Sequence, residues 1–148
     1  MSDRVSAAAP HRQRVLFVCV GNSCRSQLAE AFARKLGADV IEASSAGISP
    51  LGRIADSTRA VGAEFGLSFD EQYSKPIERA ELRRTDLVVN MSGIGSHGLF
   101  PCARRIVEWK IDDPFEESPD VYRRIAREIE TKITALVAEF RAASAPRG

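Results

Sequence analysis

The chain has 148 residues, 44% of them hydrophobic, which is the size of one domain with a core of its own. Its 21 basic and 20 acidic side chains leave a formal charge of +1, so no global field draws it to nucleic acid or to an anionic membrane, and any preference for anions must be local. Nothing approaches the roughly 20 apolar residues of a membrane span and no stretch near Met1 reads as a secretory signal; the three cysteines, an odd number, read as chemistry or core in a reducing cytoplasm.

Met1 to Gln13 is small, polar and alanine-rich, is interrupted by Pro10 and has no apolar periodicity, so residues 1–13 read as a disordered tail ahead of a single domain over 14–142. Val15-Leu16-Phe17-Val18 is a β-branched and apolar run of strand length that ends at Cys19. A short loop follows, then a helical pattern from Gln27 to Leu36 with Leu28, Phe32 and Leu36 on one face. A loop that opens a helix gathers backbone N–H groups and the positive end of the helix dipole where an anion of phosphate size fits.

Cys19 and Arg25 bracket five residues, Val20, Gly21, Asn22, Ser23 and Cys24, as they must if a thiolate and a guanidinium are to address one tetrahedral anion. The guanidinium is a planar fork that pairs two oxyanion oxygens at once, and a cysteine facing loop amides sits where the thiolate form is favoured. Ser26 is placed to donate a hydrogen bond to that thiolate, Asn22 to brace the loop from inside, and Gly21 to take a backbone angle that other residues resist. The same Cys-x4-Cys spacing is also half of a zinc site, for which Cys102 with His97 or His11 would be the remaining ligands. An apolar strand-end cysteine is more commonly core, but Arg25 would then lack a purpose. No metal is needed for anion chemistry here, since the arginine and the amides supply the positive charge.

Val40 to Ser44 reads as a second strand, and the turn from Ser45 to Gly52 follows it. Asp56 to Phe65 is a helix stopped at Gly66, Glu78 to Arg84 a short helix, Asp86 to Met91 a buried strand and Arg105 to Trp109 a fourth strand. Ser92 to Phe100, with His97, is a loop or weak helix. Strands alternating with helices predict a four-stranded parallel α/β sheet flanked by helices, with the ligand at the carboxyl ends of the strands, where Cys19 lies. Ser118 caps a last helix running to about Arg141, with Val121, Ile125, Ile129, Ile133, Leu136, Val137 and Phe140 as its apolar stripe and a frayed end over 143–148. Between the fourth strand and this helix stands Ile111-Asp112-Asp113-Pro114-Phe115. Breaking a bond to phosphorus by thiolate attack goes faster when a carboxylic acid protonates the leaving oxygen. Asp113, stiffened by Pro114, and Asp112 are the two choices.

Cys-Val-Gly-Asn-Ser-Cys-Arg-Ser, entered from a Val/Leu/Phe strand and left by a Gln-Leu-Ala-Glu-Ala helix, resembles the signature of the low-molecular-weight protein-tyrosine phosphatase superfamily, which also contains the thioredoxin-coupled arsenate reductases. The resemblance runs from about Arg14 to about Phe140. It implies Cys19 as nucleophile, Arg25 and the loop residues from Val20 to Ser26 as the phosphate cradle, Asp113 as the acid and then the base, and Ser45 as a support for Asn22. It also implies that Cys24 is a redox partner protecting Cys19 by a disulfide, and that no cofactor takes part. Where tyrosine phosphatases of the family commonly place an aromatic wall, this chain has Pro50 and Leu51. Ser-Ala-Gly-Ile-Ser-Pro, Tyr73-Ser74-Lys75 and Trp109-Lys110-Ile111-Asp112-Asp113-Pro114 look nearer the arsenate branch, yet Ser92 stands where that branch has its first redox cysteine, and Cys102 is left without a partner.

The sequence therefore favours a cysteine-dependent phosphomonoester hydrolase, a protein-tyrosine phosphatase forming a phosphocysteine on a phosphorylated protein or small phosphomonoester. The alternative is arsenate reduction, with an inorganic oxyanion as substrate and an external thiol as reductant acting on Cys19. An inactive oxyanion-binding module is the third.

Overall fold

The computed structural model describes residues 12–95 and 98–144. Strand β1 (Gln13–Cys19) is followed by helix α1 (Arg25–Gly37), β2 (Ile41–Gly47), α2 (Asp56–Glu64), α3 (Arg79–Arg84), β3 (Leu87–Asn90), β4 (Ile106–Glu108) and α4 (Pro119–Ser144). The four strands are all parallel, in the order β2-β1-β3-β4, so the chain is the expected single α/β domain. With β2 paired to one edge and β3 to the other, β1 is the central strand, and a core packs on each of its faces, so it needs the continuous apolar run Val15 to Val18. Its pleat sends Val15 and Phe17 into a large core with α1, α2 and α4, and Leu16 and Val18 into a smaller one with Leu82, Val88 and Phe100.

The register brings the carboxyl ends of the strands together. Cys19 lies beside Gly47 of β2, and Val18 beside Asn90 of β3. Because the sheet grows from β1 in both directions, the loop after β1 opens at the point where the strand order reverses, the place parallel sheets reserve for ligands.

Several local expectations shift. Helix α1 is buried without interruption from Arg25 to Ala33 rather than along one stripe, because its polar side chains are engaged by the loop described below. Gly37 ends that helix and Ala38 takes the cap. A Cβ at Gly37 would lie 2.4 Å from Val137 Cγ2, so the bare backbone is what lets α4 press on α1. Strand β2 runs on to Gly47, because it pairs with β1 as far as Cys19. Helix α4 continues through Ser144, past the expected end near Arg141 and into the stretch expected to fray; Arg141 ties its end down by donating to Asp39 at 2.8 and 2.9 Å and to the Leu36 carbonyl at 3.0 Å. Ser118 Oγ accepts from Val121 N at 3.4 Å, as an N-cap does. The expected tail up to His11, and His97, lie outside the described residues. Among the described residues no helix is long and apolar enough to cross a membrane.

Candidate oxyanion site

Residues 20–24 connect β1 to α1, and the carbonyls from Cys19 to Cys24 all find donors in the surrounding protein. Cys19 O accepts from Ile48 N at 3.2 Å, Val20 O from Ser49 N at 2.8 Å, and Gly21 O from Leu51 N at 2.9 Å and Ser74 Oγ at 3.2 Å. Asn22 O accepts from Gln27 Nε2 at 3.0 Å, Ser23 O from Ala55 N at 3.2 Å and Thr58 Oγ1 at 2.9 Å, and Cys24 O from Leu28 N at 3.0 Å. In a trans peptide the N–H points opposite to the C=O, so carbonyls bound outward turn the amides that follow them inward. The turn after β2 thus holds the loop in the shape that concentrates positive charge.

The left-handed residue in this loop is Asn22, at φ 49, and not Gly21. Asparagine tolerates that region. Gly21 serves a packing need instead, since a Cβ there would be 3.1 Å from Leu51 Cγ. Asn22 holds its strained position with three bonds: Nδ2 donates to Ser26 Oγ at 2.7 Å and to Ser45 Oγ at 3.0 Å, and Oδ1 accepts from Lys75 N at 2.9 Å. The Ser45 hydroxyl donates to Glu30 Oε1 at 2.6 Å, and Arg34 Nη2 donates to Glu30 Oε2 at 2.6 Å. Ser26 Oγ, which accepts from Asn22, lies 2.9 Å from Cys19 Sγ with its own proton available to a thiolate there. The network therefore aims a hydroxyl donor at the sulfur.

Arg25 is fixed from the other side. Its Nη1 donates to the carbonyls of Met91 at 2.5 Å and Ile111 at 3.0 Å, and its Nη2 stands 3.6 Å from Asp113 Oδ2. Arg25 Nε and Ser23 Oγ are buried without a protein partner, two donors suited to an incoming anion. Asp113 Oδ1 accepts from Phe115 N at 3.1 Å, which orients the carboxyl at the cavity mouth, whereas Asp112, equally exposed, lies outside the lining.

Val20, Gly21, Ser23 and Cys24 join Cys19, Arg25 and Asp113 around one cavity of about 240 Å³, with Ser49, Leu51 and Phe115 as its outer walls. Asn22, Ser26 and Ser45 stand behind it. The structure does not bring Ser92 or Cys102 there: Ser92 Oγ donates to Asn90 Oδ1 at 2.7 Å, and Cys102 packs against the smaller core. Among the described residues no three His, Cys, Asp or Glu side chains cluster as a metal ion would require.

Four contributors escaped the sequence reading. Met91 and Ile111 act through carbonyls, which carry no residue signature. Phe115 was legible only as the residue after Asp-Pro. Tyr122 is fully buried, and its hydroxyl lies 3.1 Å from Cys24 Sγ; the stripe read from the sequence gave this turn of the helix to Val121, which is only half-buried. Burial pushes the Cys24 thiol up from its ordinary value, with the Tyr122 hydrogen bond pulling the other way, and burial likewise pushes the Tyr122 phenol up.

The model of the low molecular weight phosphotyrosine protein phosphatase family matches residues 14–145. The chain belongs to this family. It is 35% identical over 131 residues to the glutaredoxin arsenate reductase of Synechocystis sp., covering 86% of this chain and 98% of that one. It is 34% identical to the arsenate reductase of Halalkalibacterium halodurans, covering 83% of this chain and 94% of that one. Among solved structures, an arsenate reductase in the phosphate binding state superposes with a TM-score of 0.78 at 31% identity, covering 86% of this chain and 98% of that one. The low molecular weight protein tyrosine phosphatase from T. tengcongensis superposes with a TM-score of 0.75 at 28% identity, covering 86% and 99%.

These relatives correct the preference for a protein-tyrosine phosphatase drawn from the sequence. The curated family members that this chain matches at 30 to 35% identity carry the name arsenate reductase. The signature could not separate the two, since a cradle for a tetrahedral oxyanion serves phosphate and arsenate alike. In the outer wall, Leu51 stands beside Phe115.

Proposed function

We propose that this family member reduces arsenate to arsenite, with Cys19 as the nucleophile and thiols as the source of electrons. The observation that carries the proposal is the meeting of Cys19, Arg25 and Asp113 in one oxyanion-sized cavity, in a chain whose relatives over nearly their whole length are named arsenate reductases.

Cys19 thiolate, steadied by the Ser26 hydroxyl, attacks arsenic while Arg25 and the inward amides hold the remaining oxygens. Asp113 gives its proton to the departing hydroxide, so water leaves and a sulfur–arsenic(V) bond remains. A second thiol then attacks Cys19 sulfur. The sulfur–arsenic bond breaks with its electron pair on arsenic, which becomes arsenic(III), and a disulfide forms. External thiol reduces the disulfide, so the net change is arsenate plus two thiols to arsenite, one disulfide and water. The name of the Synechocystis relative supports glutaredoxin as one such external donor. A reaction that consumes thiols belongs in a reducing compartment, and we place it in the cytoplasm.

The test is arsenate-dependent oxidation of a glutaredoxin–glutathione system, measured beside p-nitrophenyl phosphate turnover on the same sample. Arsenate-dependent thiol consumption that vanishes in Cys19→Ser is the expected result. Ester hydrolysis with no thiol consumption would overturn the proposal.

A further inference from the structure

We infer that Cys24 is the second thiol of the reaction, attacking Cys19 once arsenic is bound, and that the Tyr122 hydroxyl positions it. This rests on the arsenate reading and names the residue that supplies its second sulfur.

The chain has three cysteines, and the fold sorts them. Cys102 packs with Leu16 and Val18 on the face of the sheet turned away from α1. Cys24 instead lines the cavity that holds Cys19, as the residue just before α1. It is buried to 4% exposure, so it is already in the cavity and does not have to enter from solvent as an external thiol must. Its sulfur is paired with a phenol at 3.1 Å, on a helix tied at both ends. A buried tyrosine hydroxyl pointed at a cysteine is an uncommon use of a core position, since phenylalanine would fill the same space.

The step balances within the cavity. Having protonated the departing hydroxide, Asp113 is a carboxylate and takes the proton from Cys24 Sγ. The Tyr122 hydroxyl donates to the sulfur as its charge develops. Cys24 thiolate attacks Cys19 Sγ, the sulfur–sulfur bond forms, the sulfur–arsenic bond breaks with its pair on arsenic, and Asp113 returns its proton to an arsenite oxygen. An external thiol then attacks the Cys19–Cys24 disulfide. Burial keeps the Cys24 thiol protonated until that moment, which spares it from reacting first.

The experiment is a single turnover with reduced protein and arsenate and no added thiol. Wild type is expected to yield about one arsenite per chain, independent of protein concentration, and peptide mapping to find the Cys19–Cys24 disulfide. Cys24→Ser should yield almost none alone yet regain arsenite when dithiothreitol is added, which shows it is folded. Cys102→Ser should match wild type. Tyr122→Phe should slow the burst about fivefold, the worth of one neutral hydrogen bond, and move its pH dependence upward, which a packing defect would not do. Equal bursts from wild type and Cys24→Ser would overturn the inference, as would a burst that leaves Cys24 free by mapping or that is lost in Cys102→Ser. No burst in wild type, with arsenite formed once dithiothreitol is present, removes Cys24 and keeps the arsenate reading. No arsenite under either condition sinks both.

Discussion

Gly47→Ala tests whether the loop's shape is imposed by the strand beside it. Gly47 ends β2, pairs with Cys19 and donates its N–H to Lys75 O at 2.8 Å. An added methyl would lie 2.7 Å from Val20 O, 2.9 Å from Asn22 Cβ and 3.0 Å from Asn22 N. Carbon atoms rest about 3.5 to 4.0 Å apart, so the loop must retreat by roughly 0.6 to 1 Å. It has little freedom to do so, because Val20 O is bonded to Ser49 N and the Asn22 side chain is held on three sides. Overpacking of this kind costs about 1–3 kcal/mol, and at roughly 2–4 °C per kcal/mol in a domain of this size the melting temperature should fall by about 2–12 °C. The larger effect is on chemistry, since a misplacement of about 1 Å lowers turnover on the order of 10²-fold. Arsenite formation, calorimetric arsenate binding and thermal melts should be measured together. Gly95→Ala, with nothing within 4 Å of its added methyl, is the control and should match wild type in all three. A Gly47→Ala protein with unchanged melting and turnover would refute the claim that β2 shapes the loop.

Arg25→Lys should lower the rate of arsenite formation about 10²-fold or more while the fold persists, because an ammonium cannot hold the Met91 and Ile111 carbonyls and also present a planar fork to the anion; kcat within threefold of wild type would contradict this. Gly37→Ala should destabilise by about 1–3 kcal/mol in urea titrations through its clash with Val137, and Val137→Ala in the same chain should recover part of that loss. The pH dependence of stability has a definite sign. The Cys24 thiol is raised above its ordinary 9.0, chiefly by burial. Above about pH 9 the unfolded chain therefore gives up this proton first, so stability complete below that pH is lost as it rises. Urea midpoints measured between about pH 8 and 11 should fall more steeply for wild type than for Cys24→Ala, and parallel curves would count against a buried, protonated Cys24.

Much of the site was readable before any coordinates. A loop between a strand and a helix start favours an anion at the junction, because the physics of helix N-termini is local. The spacing of Cys19, Ser26 and Arg25 carries the chemistry in the same local way, and periodicity placed α4 and its stripe. Errors arose where a residue's role depends on a distant neighbour. The need for a bare backbone at Gly37 comes only from α4 pressing on it, and Gly21 looked like the residue of unusual angle until Asn22, held by Ser45 and Lys75 from other parts of the chain, proved to be that residue.

The sequence by itself determined that this is a parallel α/β domain, from strands and helices alternating along the chain, and that a thiol and a guanidinium bracket one loop, from a run of about a dozen residues. Only the tertiary structure decided which carboxylate meets Arg25, which cysteine shares the cavity with Cys19, and that Tyr122 stands behind it. Asp113 and Tyr122 are separated from the loop by 88 and 98 positions in the chain, and Asp112 differs from Asp113 by one. Contacts across such separations are set by how the sheet stacks its strand ends and how α4 crosses α1, and that is settled by packing of the whole core rather than by any local run of residues.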